Sequence, residues 1–354
     1  MHPAFRSKRS AVAFCVLLAF LLLLPVLLSW IGPPSREQNF ISMSNNAGPV
    51  GFEAAEIYDS PGDTDVVIVG SSRVLHGIRP EIIQKGLSAH LGRPASVAVL
   101  AINWPGEDMH SYVLRDYLEH HHTRLIVWNM PQAKAFNNQP HVQSDHWLIY
   151  GKQEGDLSRL PILYRLVLYG EMVFGAPREL LSKLRPNLVA DDEKKAAAYD
   201  RQAHDDPKHK VGFMGAPFVA DSLPGPSPDE RYLVPVTSPT LKITGPAPGP
   251  YQIRFIQGFA DVAKQYGTTL VLLHLPEVDE FGEGDLPEIA SWSKLLGSNY
   301  ELIGAPGKVL FAGIDREREL HFYSDDLHFS DNGATWFSEK IVPSIIEAYD
   351  RASK

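Results

Sequence analysis

The 354-residue chain contains a single cysteine, Cys15, and that thiol lies inside an apolar run. The remainder of the chain therefore forms no disulfide and offers no thiolate nucleophile. Without cross-links it needs a hydrophobic core, and its length suffices for one large core or two modest ones. Positive charge is also scarce, with 33 Lys and Arg against 42 Asp and Glu, a formal net charge of −9. That balance argues against nucleic acid as a ligand and against a polybasic lipid-binding surface. Internal repeats are absent. Metal-ligand spacing is missing as well: His120-His121-His122 are adjacent, so on a helix they point in different directions. They read as exposed helix-end histidines, and neither a metal nor an organic cofactor is expected.

What is present begins with Ala11–Ile31, an uncharged stretch broken only by Ser29 and long enough to cross a bilayer as a helix. Pro25 within it is a kink that membrane helices tolerate. Arg6, Lys8 and Arg9 precede it and the first ten positions hold no acid. The positive-inside rule then puts residues 1–10 in the cytoplasm and everything after Gly32 outside it. The run exceeds a signal-peptide core, and Ser29-Trp30-Ile31-Gly32-Pro33 makes a poor cleavage site, so an uncleaved single-pass anchor (11–31) is expected. Residues 32–60, rich in Pro, Asn, Ser and Gly, read as a tether.

Beyond the tether, hydrophobic patterning alternates. Val66–Val69, Ser96–Ala101 and Leu125–Trp128 read as buried strands. Pro80–His90 and Gly106–His120 read as helices between them. Strand–helix alternation with short connections implies right-handed crossovers and a parallel sheet. The pattern pauses over about 132–250, an insertion with polar and Pro/Gly-rich runs and one amphipathic stretch, Leu160–Leu184. It resumes with a helix over Tyr251–Tyr266, a strand over Thr268–Leu275, a fifth strand over Val309–Ala312 and a closing helix over Gly333–Ala348. The expectation is one α/β/α domain over 61–350, with about five parallel strands and the insertion as a cap on its active-site face.

Two stretches carry chemistry. Val66–Val69 runs into Gly70-Ser71-Ser72-Arg73, placing a serine at the carboxyl end of the first strand, where α/β sheets bind ligands. Far along the chain, Asp325-Asp326-Leu327-His328 supplies a histidine and a carboxylate three residues apart, able to converge from one turn. Ser72 as nucleophile, His328 as base and Asp325 as orienter make a hydrolase-type triad. Asp326 is the alternative carboxylate. The Ser72 backbone N–H, at a helix start, is placed to donate to an oxyanion. Taken alone, Ser71 and Ser72 would read as helix caps and the aspartates as turn residues. Arg73 either pairs with a structural acid or binds an acidic substrate group. Ser72 is not framed by G-x-S-x-G, so the α/β-hydrolase elbow does not apply. Asp145-His146-Trp147 offers a competing histidine within the insertion. Trp147, Tyr150, Tyr164, Tyr169 and Phe174 read as packing under the cap more than as sugar platforms, and His274 as a core or crevice residue.

These blocks resemble the SGNH (GDSL-like) hydrolase superfamily. Gly70-Ser71-Ser72 stands where that superfamily has Gly-Asp-Ser, Asp325-Asp326-Leu327-His328 matches its Asp-x-x-His, and Asn332-Gly333-Ala334 looks like the start of its closing helix. The resemblance implies a flavodoxin-like three-layer α/β/α sheet. It also implies an oxyanion hole completed by Gly106 (or the small Ala101) and Asn129, on looser patterns. Ser71 departs from the usual Asp, as in membrane-anchored exported members with Gly-Ser-Ser-Arg-type blocks; exported acetyltransferase-like members often use Asp-x-His, which would select Asp326. Such members include partners of membrane-bound O-acyltransferases that esterify polysaccharides. The resemblance thus implies an esterase or O-acetyltransferase at a bacterial inner membrane, its catalytic domain periplasmic. A glycan would be its substrate, with a membrane-bound O-acyltransferase or polysaccharide synthase as partner. The other class is a catalytically silent SGNH-like scaffold within an exopolysaccharide synthesis or acylation complex.

Overall fold

A computed structural model describes residues 7–31, 50–103, 106–130, 140–141, 144, 160–184, 232–235, 250–286, 296 and 300–353. In chain order its main helices and strands are α1 (Lys8–Ile31), α2 (Val50–Tyr58), β1 (Thr64–Ser71), α3 (Ser72–Gly77), α4 (Pro80–Leu91), β2 (Val97–Ile102), α5 (Glu107–His120) and β3 (Thr123–Asn129). There follow α6 (Ile162–Leu184), β4 (Leu233–Pro235), α7 (Pro250–Gln265), β5 (Thr269–Leu273), β6 (Glu301–Ile303), α8 (Gly307–Leu310), α9 (Arg316–Leu320) and α10 (Asp331–Ala352).

The six strands form one sheet in the order β2-β1-β3-β5-β6-β4, parallel except for β4, which runs antiparallel to β6. Strand β1 lies inside the sheet between β2 and β3, and Val66–Val69 are wholly buried, as an uninterrupted β-branched run requires when both faces are covered. Alternation splits those four residues between two cores. Val67 and Val69 pack with α2, α5 and α7, among them Ile57, Tyr112 and Phe259. Val66 and Ile68 pack with α4 and α10, among them Leu87, Ile341 and Ile345. Helices therefore cover both faces. Trp128 of β3 stacks on Phe259 with ring centroids 4.0 Å apart, and Trp336 of α10 stacks on Phe311 and Phe322.

Three boundaries differ from the sequence reading. The strand expected over Val309–Ala312 is instead the short helix α8 and its turn, and the fifth parallel strand is Glu301–Ile303. Only three residues long, β6 offers too little alternation to read. The tether does not extend to Ser60, because Val50–Tyr58 is a helix with Glu53, Ala54 and Ile57 buried against the sheet layer. From the insertion, β4 adds an antiparallel edge strand and α6 a 23-residue helix. Asp145-His146-Trp147 and Tyr150 lie outside the described residues. Helix α1 covers the expected apolar run: Lys8–Leu28 is long and apolar enough to cross a membrane, with mean hydropathy 3.0.

Candidate active site

Strand β1 ends at Ser71 and the chain turns directly into α3, with the Ser71 side chain capping the helix by accepting from the Arg73 N–H. Gly70 permits that turn: a Cβ there would lie 2.4 Å from the Val74 side chain and 2.8 Å from Cβ of Asn129. Ser72 is thereby lifted to the carboxyl edge of the sheet. This is the switch point of the topology, where β2 and β3 flank β1 on opposite sides.

The partner loop arrives from the other end of the chain. Asp325 Oδ1 accepts from the backbone N–H groups of Leu327 (2.8 Å) and His328 (2.7 Å), a side-chain-to-backbone turn that fixes both residues of the pair. Ser324 N–H donates to the His328 carbonyl at 2.9 Å. Phe329 is buried and packs on Tyr323 and Phe337, and Ser330 caps α10. Anchored on both flanks, His328 points Nε2 at Ser72 Oγ, 2.9 Å away, while Nδ1 lies 2.8 Å from Asp325 Oδ2. Residues 256 positions apart thus form one hydrogen-bonded chain. Burial pushes the Asp325 carboxyl up, but the Leu327 N–H, the His328 ring and the His328 N–H outweigh it and hold its pKa below the ordinary range. Asp326 is exposed and plays no part in this chain of bonds.

Other expected members are placed differently. Arg73 makes the contacts of the structural option. Its guanidinium donates to the carbonyls of Leu275, Pro276 (3.2 Å) and Leu327 (3.3 Å) and faces Glu277 at 3.6 Å. It pins the loop after β5 and the His328 loop to the Ser72 turn. The Asn129 amide is buried and donates to the carbonyls of Met130 and Leu273, 3.3 Å each, so it is not presented as an oxyanion donor. Gly106 precedes α5 on the carboxyl side of β2, where a Cβ would lie 2.6 Å from the His141 ring. Close packing thus accounts for that glycine. Ala101 is buried within β2, paired with Gly70.

The sequence reading passed over His76. It is buried, four residues after Ser72 on α3, with its ring edge-on to His328 at a centroid distance of 5.0 Å. Burial first, then the neighbouring His328 and Arg79, lower its pKa to about 4 against the pull of Asp325. The i, i+4 spacing from Ser72 was the available signal. Of the histidine triplet, His120 and His122 are exposed as expected, but His121 is buried, its ring nitrogens each 2.8 Å from the carbonyls of Ile57 and Gly62. It fastens α2 and the following turn to the end of α5. His274 is buried against Glu280 at 2.8 Å.

Glu277, Asp279 and Glu280 bring carboxylate oxygens within 4.8 Å of one another. Two of them are already engaged, Glu277 with Arg73 and Glu280 with His274 and the Glu277 N–H. A cavity of about 630 Å³ opens at the opposite, amino edge of the sheet, lined by Asp65, Arg93, Ser96, His122 and Arg124. Its Arg93 and Asp65 are paired with each other at 2.6 Å, and ligands of parallel sheets bind at the other edge.

Comparison of the chain with protein-family models and with curated proteins gives no match.

Proposed function

We propose that the protein is a serine O-acyl esterase or acyltransferase of the SGNH type, anchored in a bacterial inner membrane by α1 with its α/β domain on the periplasmic side. The observation that carries this reading is the continuous bond chain Ser72 Oγ–His328 Nε2 (2.9 Å) and His328 Nδ1–Asp325 Oδ2 (2.8 Å). The strand order supports it. With antiparallel β4 set aside, the parallel strands run 2-1-3-4-5 in chain order, the flavodoxin-like winding, and Ser72 follows its first strand.

In the proposed reaction Ser72 Oγ attacks the acyl carbonyl as its proton passes to His328 Nε2. The imidazolium is stabilised through Nδ1–H by Asp325. The Ser72 backbone N–H, in the first helical turn where such groups lack a helical acceptor, donates to the oxyanion. Collapse expels the alcohol, which takes the proton from His328 and leaves an acyl-Ser72. A second hydroxyl, from a glycan for transfer or from water for hydrolysis, loses its proton to His328 and resolves the ester. The expected substrate is an acetylated exopolysaccharide or envelope glycan. The expected partner is a membrane-bound O-acyltransferase or polysaccharide synthase.

The committed amide of Asn129 favours one second reading, a catalytically silent scaffold within an exopolysaccharide complex. The two separate on the detergent-solubilised full chain with p-nitrophenyl acetate and a fluorophosphonate probe. Acyl transfer through Ser72 predicts covalent labelling of the wild type. It also predicts that Ser72→Ala and His328→Ala each lower kcat/KM by about a thousandfold or more. A folded chain that neither hydrolyses the ester nor takes the label would leave the scaffold.

A further inference from the structure

Helix α6 has three sides with three different surroundings. Leu160, just ahead of it, and Tyr164 and Leu168 on it join the domain core shared with α5 and α7. Leu180 packs on Leu24 and Leu28 of α1, and the Tyr169 hydroxyl donates to the Leu22 carbonyl at 2.6 Å. The third side carries Leu163, Leu166, Val167, Phe174, Leu181 and Leu184, all exposed, Leu163 by 74% and Phe174 by 86%. A surface helix in water turns polar residues outward, and a continuous apolar stripe of this kind marks an interaction face.

We propose that α6 is a second membrane-embedded element, an interfacial helix lying beside α1 with this stripe in the acyl chains. The inference rests on reading α1 as a membrane-crossing anchor. Leu22 is six residues inside Leu28, the exported end of the span, so Tyr169 meets α1 about 9 Å below that end at 1.5 Å per residue. Interfacial helices sink their apolar faces about 5–10 Å, so a helix touching α1 at this depth already lies within the bilayer. Helix α1 beside it is itself apolar and exposed along its length, as at Phe14, Leu17 and Leu23. The phenol fits the same placement, since a hydroxyl in hydrocarbon needs an internal acceptor and a helical carbonyl has a lone pair to spare. Between Ile162 and Pro177 the only charged residues are Arg165 and Glu171, and Arg165 Nε turns back to the Leu160 carbonyl at 2.9 Å. Arg178, Glu179 and Lys183 follow, too many charges for a second crossing and compatible with a helix lying at the surface.

The test uses the full chain carrying Cys15→Ser, with one cysteine introduced at Leu163, Phe174, Leu18 or Leu320 and labelled with the fluorophore NBD. Each variant is checked for an unchanged thermal unfolding midpoint and reconstituted alone into phosphatidylcholine liposomes. Labels at 163 and 174 are expected to lose most of their emission to lipids bearing a nitroxide on the acyl chain, as the label at 18 does, and to ignore iodide in the buffer. The label at exposed Leu320 should do the reverse. If position 18 is quenched by lipid while 163 and 174 respond only to iodide, the stripe faces water or an absent protein. The proposal then fails and the anchor stands. If position 18 also responds only to iodide, the anchor reading falls, and the proposal with it.

Discussion

At the scale of single residues, the loop geometry decides between adjacent aspartates. Asp325 Oδ1 holds two backbone N–H groups while Oδ2 faces His328, whereas Asp326 is exposed beside them. Asparagine at 325 keeps an acceptor for the turn but sets an amide against Nδ1. Asp325→Asn should therefore lower esterase kcat/KM by about a hundredfold or more with little loss of stability, and Asp326→Asn by less than about twofold. Equal effects would discard Asp325 as orienter. His76 makes a separate prediction. Held neutral with a pKa of about 4, it would add no second positive charge beside His328 when that ring is protonated in the proposed reaction. Its pKa lies below the unfolded value of 6.5, so the unfolded chain binds the extra proton and stability falls as pH drops from about 6.5 through about 4. The loss is on the order of 3 kcal/mol at most. Glu319, raised by burial to about 7 against the pull of Arg316, works in the opposite direction over pH 7 to 4.5. The quantity to measure is therefore the difference in urea midpoints between wild type and His76→Phe at pH 7 and pH 4. That gap should shift in favour of His76→Phe as pH falls, and a gap independent of pH would remove the role given to His76.

At the scale of elements, α2 is the piece a tether reading gives away. Its nine residues carry Glu53, Ala54 and Ile57 into the core with α5, and His121 ties down its C-terminal end. Ile57→Ala should then cost about 2–4 kcal/mol in urea unfolding, the usual toll of a buried large-to-small change, where a residue of a true tether would cost nothing measurable. The helix escaped the sequence reading because it is short and follows a Pro, Asn and Ser-rich stretch, so composition masked three buried positions. Strands β1, β2 and β3 were legible for the opposite reason, since each is a β-branched or aliphatic run buried on both faces. The triad was legible because each half is local: a glycine turn after a strand, and an Asp-x-x-His turn before a capped helix. The fates of Arg73 and Asn129 were not. Each turns on which main-chain carbonyls the loop after β5 brings alongside, and nothing within a few residues of either encodes that.

For the molecule as a whole, the distribution of charge bears on the proposed anchor and its orientation. Arg6, Lys8 and Arg9 are the only charged residues before Ser35, and removing them takes the formal charge from −9 to −12, so everything beyond α1 is strongly acidic. A domain of that charge has no electrostatic hold on an anionic membrane, and salt should not release it. The full chain is expected to stay with membranes through 1 M salt and alkaline carbonate and to leave only with detergent. If Arg6, Lys8 and Arg9 hold the N-terminus inside as proposed, protease added to intact spheroplasts should remove an epitope fused after Lys354 and spare one fused before Met1. The reverse pattern would put Ser72 in the cytoplasm, away from any extracytoplasmic glycan, and would overturn the proposed substrate class even with the triad intact. A cysteine-free domain suits the outward orientation, because an oxidising compartment finds no thiol in it to cross-link.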